Sequence, residues 1–235
     1  MKVEDLVRLM SGQRTVRRFK PDPVPEGHLR KILEAARWAP SAANTQPWDL
    51  VVVKDHKLKE KIAEIYADAL RAARSEDKRF PYDNPDGLYE RFTKPPVLIA
   101  VCADTRFRKA YPKAGDRKRN LYISMGLAIQ NMMLAANALG LGLSWGTTNS
   151  FSREKLSRLL RVPASHQVIE VLQLGYPVEQ MPPRFRRDTS DFTHRDKFDR
   201  SKLRSDEEIR NLIRTRKSAD IYSGSNHRPS RTRCS

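Results

Sequence analysis

Two polar segments near the N-terminus carry the side chains best suited to chemistry. The first places Arg14, Thr15 and Arg17 close together, with Arg18 next in the chain. Two guanidinium groups and a hydroxyl form a donor set that suits a phosphate dianion. The second segment is Pro40-Ser41-Ala42-Ala43-Asn44-Thr45-Gln46-Pro47-Trp48, whose amides and hydroxyls both donate and accept hydrogen bonds. Together the two segments indicate a site for a phosphorylated aromatic cofactor.

Each segment also has an ordinary structural interpretation. The arginines could form an exposed basic turn, and the amide-rich segment could cap the connection between a helix and a strand. Arg18 alternates with Arg17, so we expect its side chain to point elsewhere. Trp48 begins an apolar strand, which favours a place in the core. Neither segment is specific by itself, so further motifs have to decide.

Two later segments complete a series of four motifs. Leu139-Gly140-Leu141-Gly142 is followed by Ser144-Trp145-Gly146-Thr147-Thr148, and further on comes Gln173-Leu174-Gly175-Tyr176-Pro177. In this order the four motifs resemble the nitroreductase family of FMN-dependent oxidoreductases, over roughly residues 12–198. The resemblance implies an α+β fold, a three-layer sandwich in which a mostly antiparallel sheet is flanked by helices. It also implies an interlocked homodimer with an FMN at each end of the interface.

The resemblance further implies which residues bind FMN. The expected phosphate and ribityl contacts are Arg14, Thr15 and Arg17, of which Arg17 is also expected at the N1–O2 edge of the flavin. The residues expected along the flavin ring are Pro40, Ser41, Ala42, Asn44 and Gln46. The residues expected to pass the flavin N5, with a backbone N–H directed at it, are Trp145, Gly146, Thr147 and Thr148.

A last phosphate contact is expected from a basic residue after the final strand. The possible residues are Arg184, Arg186 and Arg187. At this point the chain departs from the family, which commonly has a basic residue followed by a Pro-Leu-type segment with acidic residues. Here the chain reads Arg187-Asp188-Thr189-Ser190-Asp191. The sequence therefore leaves open which arginine contacts the phosphate.

The implied activity is that of a flavoprotein oxidoreductase with a ping-pong mechanism. Hydride passes from NAD(P)H through the flavin N5 to a nitroaromatic, a quinone or a similar small acceptor. A specialised dehalogenase or dehydrogenase of the same fold is one alternative. The sequence offers no acid–base pair or nucleophile as a catalytic residue, and its five histidines lack metal-ligand spacing and read as surface residues. This fits an enzyme whose cofactor supplies the reaction.

The formal net charge of +17 raises the alternative of a non-catalytic nucleic-acid-binding protein. The basic residues are scattered along the chain, and no zinc-finger, KH or RNP motif accompanies them, so this alternative is disfavoured. No apolar run approaches the roughly 20 residues that span a bilayer. Glu4 and Asp5 argue against a secretory signal, so we expect a cytoplasmic protein.

Apolar periodicity predicts the elements that must position these residues. We predict helices over 3–11, 26–38, 58–74, 121–139, 153–161 and 206–214, and strands over 48–53, 97–103, 143–145 and 168–174. Strand 48–53 is expected to be covered on both faces, whereas helix 121–139 is expected to be buried on most sides and to lend one side to a subunit interface. Ser152 is the expected N-cap of its helix. Gly140-x-Gly142 follows a helix, which disfavours a dinucleotide-binding doubly wound sheet.

Two regions have weak patterns. Residues 75–95 are predicted to form either a lid or a solvated surface loop, and the possible lid contacts are Tyr82, Tyr89, Arg91 and Lys94. We assign residues 1–200 to one FMN-binding domain and residues 201–235 to a basic C-terminal extension that is partly disordered.

Overall fold

The computed structural model describes residues 2–76, 85–107, 117–179 and 186–218. Three sequence predictions, those for Tyr82, for Arg184 and for the tail from residue 219 onward, lie outside these residues. The chain divides into two compact units, Met1–Pro182 and Pro183–Ser235. The domain boundary near residue 200 therefore stays a prediction.

A four-stranded sheet forms the centre of the first unit. Its strands are β1 (Trp48–Val53), β2 (Val97–Asp104), β3 (Gly142–Thr147) and β4 (His166–Gly175), in the order β1-β2-β4-β3. Every neighbouring pair is antiparallel, as predicted. The central strand β2 is almost continuously apolar because helices cover both of its faces. Strand β1 is covered on both faces, as expected, since Leu50 and Val52 pack against one core cluster and Val51 and Val53 against the other, although most of this edge strand is only partly buried.

Helices lie on both sides of the sheet. They are α1 (Val3–Gly12), α2 (Glu26–Arg37), α3 (His56–Glu76), α4 (Pro85–Thr93), α5 (Arg117–Ala138) and α6 (Ser150–Leu159). One core cluster joins α2 and α5 to one face of the sheet. The other cluster joins α3, α4 and α6 to the opposite face. The result is the predicted three-layer α+β arrangement.

The sequence located most elements but missed two local features. Residues 85–93, expected as part of a loop or lid, form the helix α4. The N-cap of α6 is Asn149 instead of Ser152, because Asn149 Oδ1 accepts a hydrogen bond from Ser152 N at 3.0 Å. Ser152 Oγ in turn accepts one from Asn149 N at 3.1 Å, which completes a capping box.

The second unit contains short turns and one helix. Two single 3₁₀ turns, Thr189–Asp191 and Arg200–Lys202, precede helix α7 (Asp206–Ser218). Each turn is capped by an aspartate whose Oδ1 accepts a backbone hydrogen bond at 2.9 Å, Asp188 from Ser190 and Asp199 from Ser201. Among the helices described in either unit, none has the length and apolar character needed to cross a bilayer.

Candidate functional site

The arginine segment, residues 14–18, runs along the outer edge of β3. Thr15 forms a parallel bridge with Leu143, and Val16 N donates a hydrogen bond to Leu143 O at 3.4 Å. Gly142 permits this approach, since a Cβ at that position would lie 2.3 Å from Val16 Cγ2. The structure thus brings the predicted phosphate segment beside the strand that leads into the predicted N5 loop.

The same segment continues past the end of β4. Lys20 N donates to Tyr176 O at 2.8 Å, and Val178 N donates to Arg18 O at 3.1 Å. The Arg18 side chain is exposed and reaches Glu179 at 3.5 Å, so it points away as predicted. Arg17 is half-buried.

Arg14 lies at the C-terminal end of α1. Its Nη1 donates to Ser11 O at 2.6 Å and to Gln13 O at 2.7 Å. These contacts satisfy carbonyl groups at the end of the helix, where a cation is also electrostatically favoured. A phosphate at this place would therefore share the guanidinium with the end of α1.

The amide-rich segment folds into a strained turn. Ala42–Asn44 forms one 3₁₀ turn, and Ser41 Oγ accepts a hydrogen bond from Gln46 N at 2.9 Å. The φ angles of Ala43, Asn44 and Gln46 are 52°, 50° and 44°. For a residue with a Cβ this left-handed backbone costs about 1 kcal/mol. Such strain is concentrated at functional sites, and the side chains of Asn44 and Gln46 are exposed.

This turn lies against the start of α5. Ala42 N donates to Ser124 Oγ at 3.2 Å, and Ser124 Oγ donates to Asn120 O at 2.8 Å. A cavity of about 210 Å³ opens between the turn and the helix. Its lining residues are Ala42, Ala43, Thr45, Phe107, Arg117, Asn120, Leu121 and Ser124. The cavity is large enough for part of an aromatic ring.

The turn and the arginine segment belong to opposite edges of the sheet. The turn leads into β1 at one edge, whereas the arginine segment borders β3 at the other. Three strand spacings correspond to roughly 14 Å. Within one chain, the arginine segment therefore lies beside the strand that carries residues 145–148. The predicted residues between 40 and 46 lie at the opposite edge of the sheet.

The predicted N5 loop, residues 145–148, alternates between exposed and buried residues. Trp145 and Thr147 are exposed, whereas Gly146 and Thr148 are buried. The Leu143 C=O points to the outer edge of β3, where it accepts the Val16 N–H. Since the backbone groups of alternate residues in a strand point to the same edge, the Trp145 N–H also points to the outer edge. The side chains and amides available to a ligand are thus those of Trp145 and Thr147.

Buried polar residues that sequence reasoning missed support this loop. Tyr66 Oη donates to Gly146 O at 2.9 Å and lies 2.8 Å from Thr148 Oγ1. Glu170 lies opposite Thr147 in the pairing of β3 with β4, and burial raises the pKa of its carboxyl group to about 7. Glu170 is the one acidic residue in the apolar stretch Val168–Leu174. This interruption of the apolar pattern could have identified it from the sequence.

Several remaining predictions have mixed outcomes. Arg91 is directed at the sheet, where its Nη2 donates to Ser144 Oγ at 3.3 Å. In the second unit, Arg187 lies over the Phe192 ring and donates to Asp191 O. The phosphate contact predicted for Arg186 or Arg187 stays a prediction. His166 was wrongly placed at the surface, because its ring is largely buried and its Nε2 lies 2.9 Å from Asp49 Oδ2.

Comparison with known proteins identifies the family. A profile of the nitroreductase family matches residues 10–176, which is more than half of the chain. The chain therefore belongs to the nitroreductase family and is an oxidoreductase of that family. This confirms the resemblance that the four motifs indicated.

Individual relatives are named for different activities. An NADH dehydrogenase of Thermus thermophilus is 32% identical over 191 residues, covering 74% of this chain and 87% of the relative. Iodotyrosine deiodinase 1 of Rattus norvegicus is 30% identical over 186 residues, covering 75% of this chain and 64% of the relative. The structure of an NADPH:FMN oxidoreductase from Vibrio harveyi with NAD+ matches at a TM-score of 0.68, covering 90% of this chain and 84% of that one. At 18% identity the last likeness supports the fold alone.

Proposed function

We propose that the protein is an FMN-dependent NAD(P)H oxidoreductase. The observation that carries this proposal is the pairing of the arginine segment with β3. It supports the proposal because Arg14, Thr15 and Arg17, the expected phosphate donors, lie beside a strand edge with an outward N–H and an exposed aromatic side chain. That donor set fits FMN, which combines a phosphate dianion with a flat ring that accepts hydrogen bonds.

The residues present have distinct roles in this proposal. Bound FMN supplies the two-electron redox chemistry. Arg17 and Thr15 hold the phosphate and ribityl end, together with Arg14 at the end of α1. The Trp145 N–H orients the ring from the edge of β3. Asn44 and Gln46 offer donors and acceptors for the polar edge of the ring.

The separation of these groups supports a homodimer with composite sites. The Ser41–Gln46 turn and the arginine segment lie at opposite sheet edges of one chain. In a symmetric dimer the turn of one subunit can approach the arginine segment of the other. The cavity beside Ser124 would then lie near the ring and receive part of a small acceptor.

The proposed reaction has two half-reactions at one place. NAD(P)H and then a nitroaromatic, a quinone or a similar acceptor would occupy the same space in turn, and FMN held by Arg14, Thr15 and Arg17 would supply the two-electron chemistry that links them. The exposed Trp145 side chain offers an apolar surface for both flat partners. A shared, open space of this kind favours broad acceptor specificity.

The test begins with the visible spectrum of the purified protein. We expect flavin absorption that bleaches on anaerobic addition of NADH or NADPH and returns when an acceptor is added. A colourless protein that does not take up added FMN would contradict the proposal.

Two arginine variants test the site itself. Arg17→Ala should weaken FMN binding by about 10- to 100-fold, since hydrogen bonds to charged groups contribute about 1.5–3 kcal/mol. Arg18→Ala is the matched control, because Arg18 contacts the exposed Glu179 and should bind FMN as the unmodified protein does. Equal losses in both variants would argue against the assigned phosphate site.

A reductive dehalogenase is the second candidate function. The observation in its favour is the similarity to the rat iodotyrosine deiodinase. The test is anaerobic incubation of the reduced protein with iodotyrosine, with release of iodide as the readout. Iodide release at a rate that exceeds quinone reduction would favour this second function over the first.

A further inference from the structure

A buried polar network lies beneath the Gly146–Thr148 segment. The Tyr66 hydroxyl has one proton, and Gly146 O can only accept, so Tyr66 donates to Gly146. The Thr148 hydroxyl must then donate to Tyr66 across the 2.8 Å contact. One side chain from α3 therefore holds both ends of the segment.

Packing from α4 fixes the Tyr66 ring. Its ring stacks on Phe92 with centroids 4.0 Å apart. A Cβ on Gly146 would lie 2.3 Å from Phe92 Cζ, so the backbone of β3 touches the same ring. Tyr66 and Phe92 are both buried, which leaves the segment little freedom to shift.

Glu170 holds the segment at a third point. It lies opposite Thr147 in the pairing of β3 with β4, and its Oε2 atom is buried with no hydrogen-bond partner among the residues that the structure describes. A β-bulge at Ile169 lies next to it in β4, and bulges often redirect side chains beside functional sites. An unpaired buried carboxylate is costly, and protonation lowers this cost because it removes the buried charge.

The charged and titratable groups around Glu170 come from three helices. Arg153 of α6 attracts the carboxylate, and Tyr66 of α3 interacts with it electrostatically. Arg91 of α4 acts on Tyr66. The amide oxygen of Gln167, in its hydrogen-bonding orientation, accepts from Arg153 Nη1 at 3.0 Å and Nε at 2.9 Å, so part of the Arg153 charge is engaged there.

We infer that Tyr66 and Glu170 are positioning residues that hold the Gly146–Thr148 segment in the shape that receives the flavin, and that protonated Glu170 favours this shape. The inference rests on the proposed function. Release of the segment would hydrate Glu170 and favour its ionised form. By linkage, the packed segment is the state that retains the proton.

The linkage gives the inference a measurable pH dependence. Because burial raises the pKa of Glu170 to about 7 from its ordinary 4.5, it is mostly protonated at pH 6 and mostly ionised at pH 8. FMN affinity should fall by up to about tenfold between these pH values. Glu170→Gln keeps the shape of the side chain and cannot ionise, so the fall in FMN affinity between pH 6 and pH 8 should be lost.

The experiment measures FMN affinity by fluorescence titration at pH 6, 7 and 8 in four proteins. They are the unmodified protein, Glu170→Gln, Tyr66→Phe and the control Glu154→Gln. Glu154 is an exposed α6 residue that pairs with Arg158. The FMN phosphate also titrates near pH 6, but it does so in all four proteins. Only a difference between Glu170→Gln and the control is assigned to Glu170.

Tyr66→Phe retains the stacking on Phe92 and removes both hydroxyl contacts. It should bind FMN about three- to tenfold more weakly at every pH, the effect of a lost hydrogen bond. Without FMN, hydrogen exchange at the Thr148 amide should be faster in this variant than in the control. Urea unfolding establishes that each variant is folded at the temperature of the titration.

The outcomes separate this inference from the proposed function. A pH step that persists in Glu170→Gln, or unchanged FMN affinity and Thr148 exchange in Tyr66→Phe, would overturn the inference while FMN binding itself stands. An unmodified protein that does not bind FMN would overturn both.

Discussion

Gly142 has no Cβ, and this allows the arginine segment to approach and pair with β3. Any Cβ there would meet Val16 Cγ2 at 2.3 Å and Val16 Cβ at 2.6 Å, far inside a normal contact. Backbone atoms of both segments would have to separate. The hydrogen bond from Val16 N to Leu143 O depends on this close approach.

Gly142→Ala should therefore destabilise the fold and the site together. We expect a loss of about 1–3 kcal/mol in the free energy of unfolding, typical of overpacking, and weaker FMN binding. Gly27→Ala is the control, because nothing lies within 4 Å of its added Cβ. Urea unfolding and FMN titration measure both effects. A Gly142→Ala protein as stable as the control would contradict this account.

Glu170 links the stability of the fold to pH. Its pKa is raised from the ordinary 4.5 to about 7, so the folded state holds this proton more tightly than the unfolded state. The resulting stabilisation is present below pH 4.5 and is lost as pH rises through 7. At 1.36 kcal/mol for each pKa unit, the loss is at most about 3 kcal/mol.

Glu170→Gln should remove this dependence. We expect the variant to exceed the unmodified protein in unfolding free energy at pH 8, and the difference to shrink toward pH 5. Urea unfolding at pH 5, 6, 7 and 8 measures it, with Glu154→Gln as the control. A difference that does not vary with pH would show that burial of Glu170 carries no linked proton.

Among the helices, α4 depends on a buried lysine for its position. Lys59 of α3 is only 6% exposed. Its Nζ donates to Pro95 O at 2.8 Å and to Thr93 O at 3.3 Å, at the end of α4. Burial lowers the pKa of Lys59. The cation thus satisfies carbonyl groups where the chain leaves α4 and enters β2.

Lys59→Met should loosen this connection. The substitution keeps the length of the side chain but leaves two carbonyl groups without their donor, for an expected loss of about 1–2 kcal/mol in unfolding free energy. Lys57→Met, at an exposed position of the same helix, should stay within about 0.5 kcal/mol. Urea unfolding compares the two variants. Equal stabilities would mean that α4 is held by its apolar contacts alone.

Elements with strong apolar patterns could be predicted from the sequence. The apolar run 121–139 gave α5, and the run from Val97 gave β2. The helix α4 was missed because proline, aspartate and glycine at its start are typical of loops. The apolar run of β1 predicted its cover on both faces, but the run carries no signal that the strand lies at a sheet edge, where most of its residues are only partly buried.

The candidate site could be predicted only in part. The motifs identified the arginine segment and the predicted N5 loop. Their proximity could not be predicted, because the contact of the arginine segment with β3 joins residues far apart in the chain and local sequence patterns carry no information about such contacts. Tyr66 belongs to a helix whose apolar stripe already explains a buried aromatic residue. Its hydroxyl contacts with Gly146 and Thr148 arise from tertiary packing.

Apolar side chains of two helices, α1 and α5, are exposed to solvent. Val3, Val7 and Met10 of α1 are 66%, 56% and 47% exposed. Ile123 and Leu127 of α5 are 52% and 38% exposed, one turn apart on the same helix. Exposed apolar surface of this kind typically marks an interaction site. The separation of the Ser41–Gln46 turn from the arginine segment gives the same indication, since a second subunit would complete the site.

Charge introduced on α5 should therefore separate the subunits and release the cofactor in one step. We expect the unmodified protein to have twice the mass of the chain by light scattering, and Ile123→Glu with Leu127→Glu to have the mass of one chain. Lys57→Glu on α3, which covers the opposite face of the sheet, should remain dimeric. In the proposed composite site the partner supplies the Ser41–Gln46 turn, so the monomeric variant should also lose bound FMN. A folded monomer that retains FMN would place the whole site within one chain, and an unmodified protein that is monomeric would contradict the dimer.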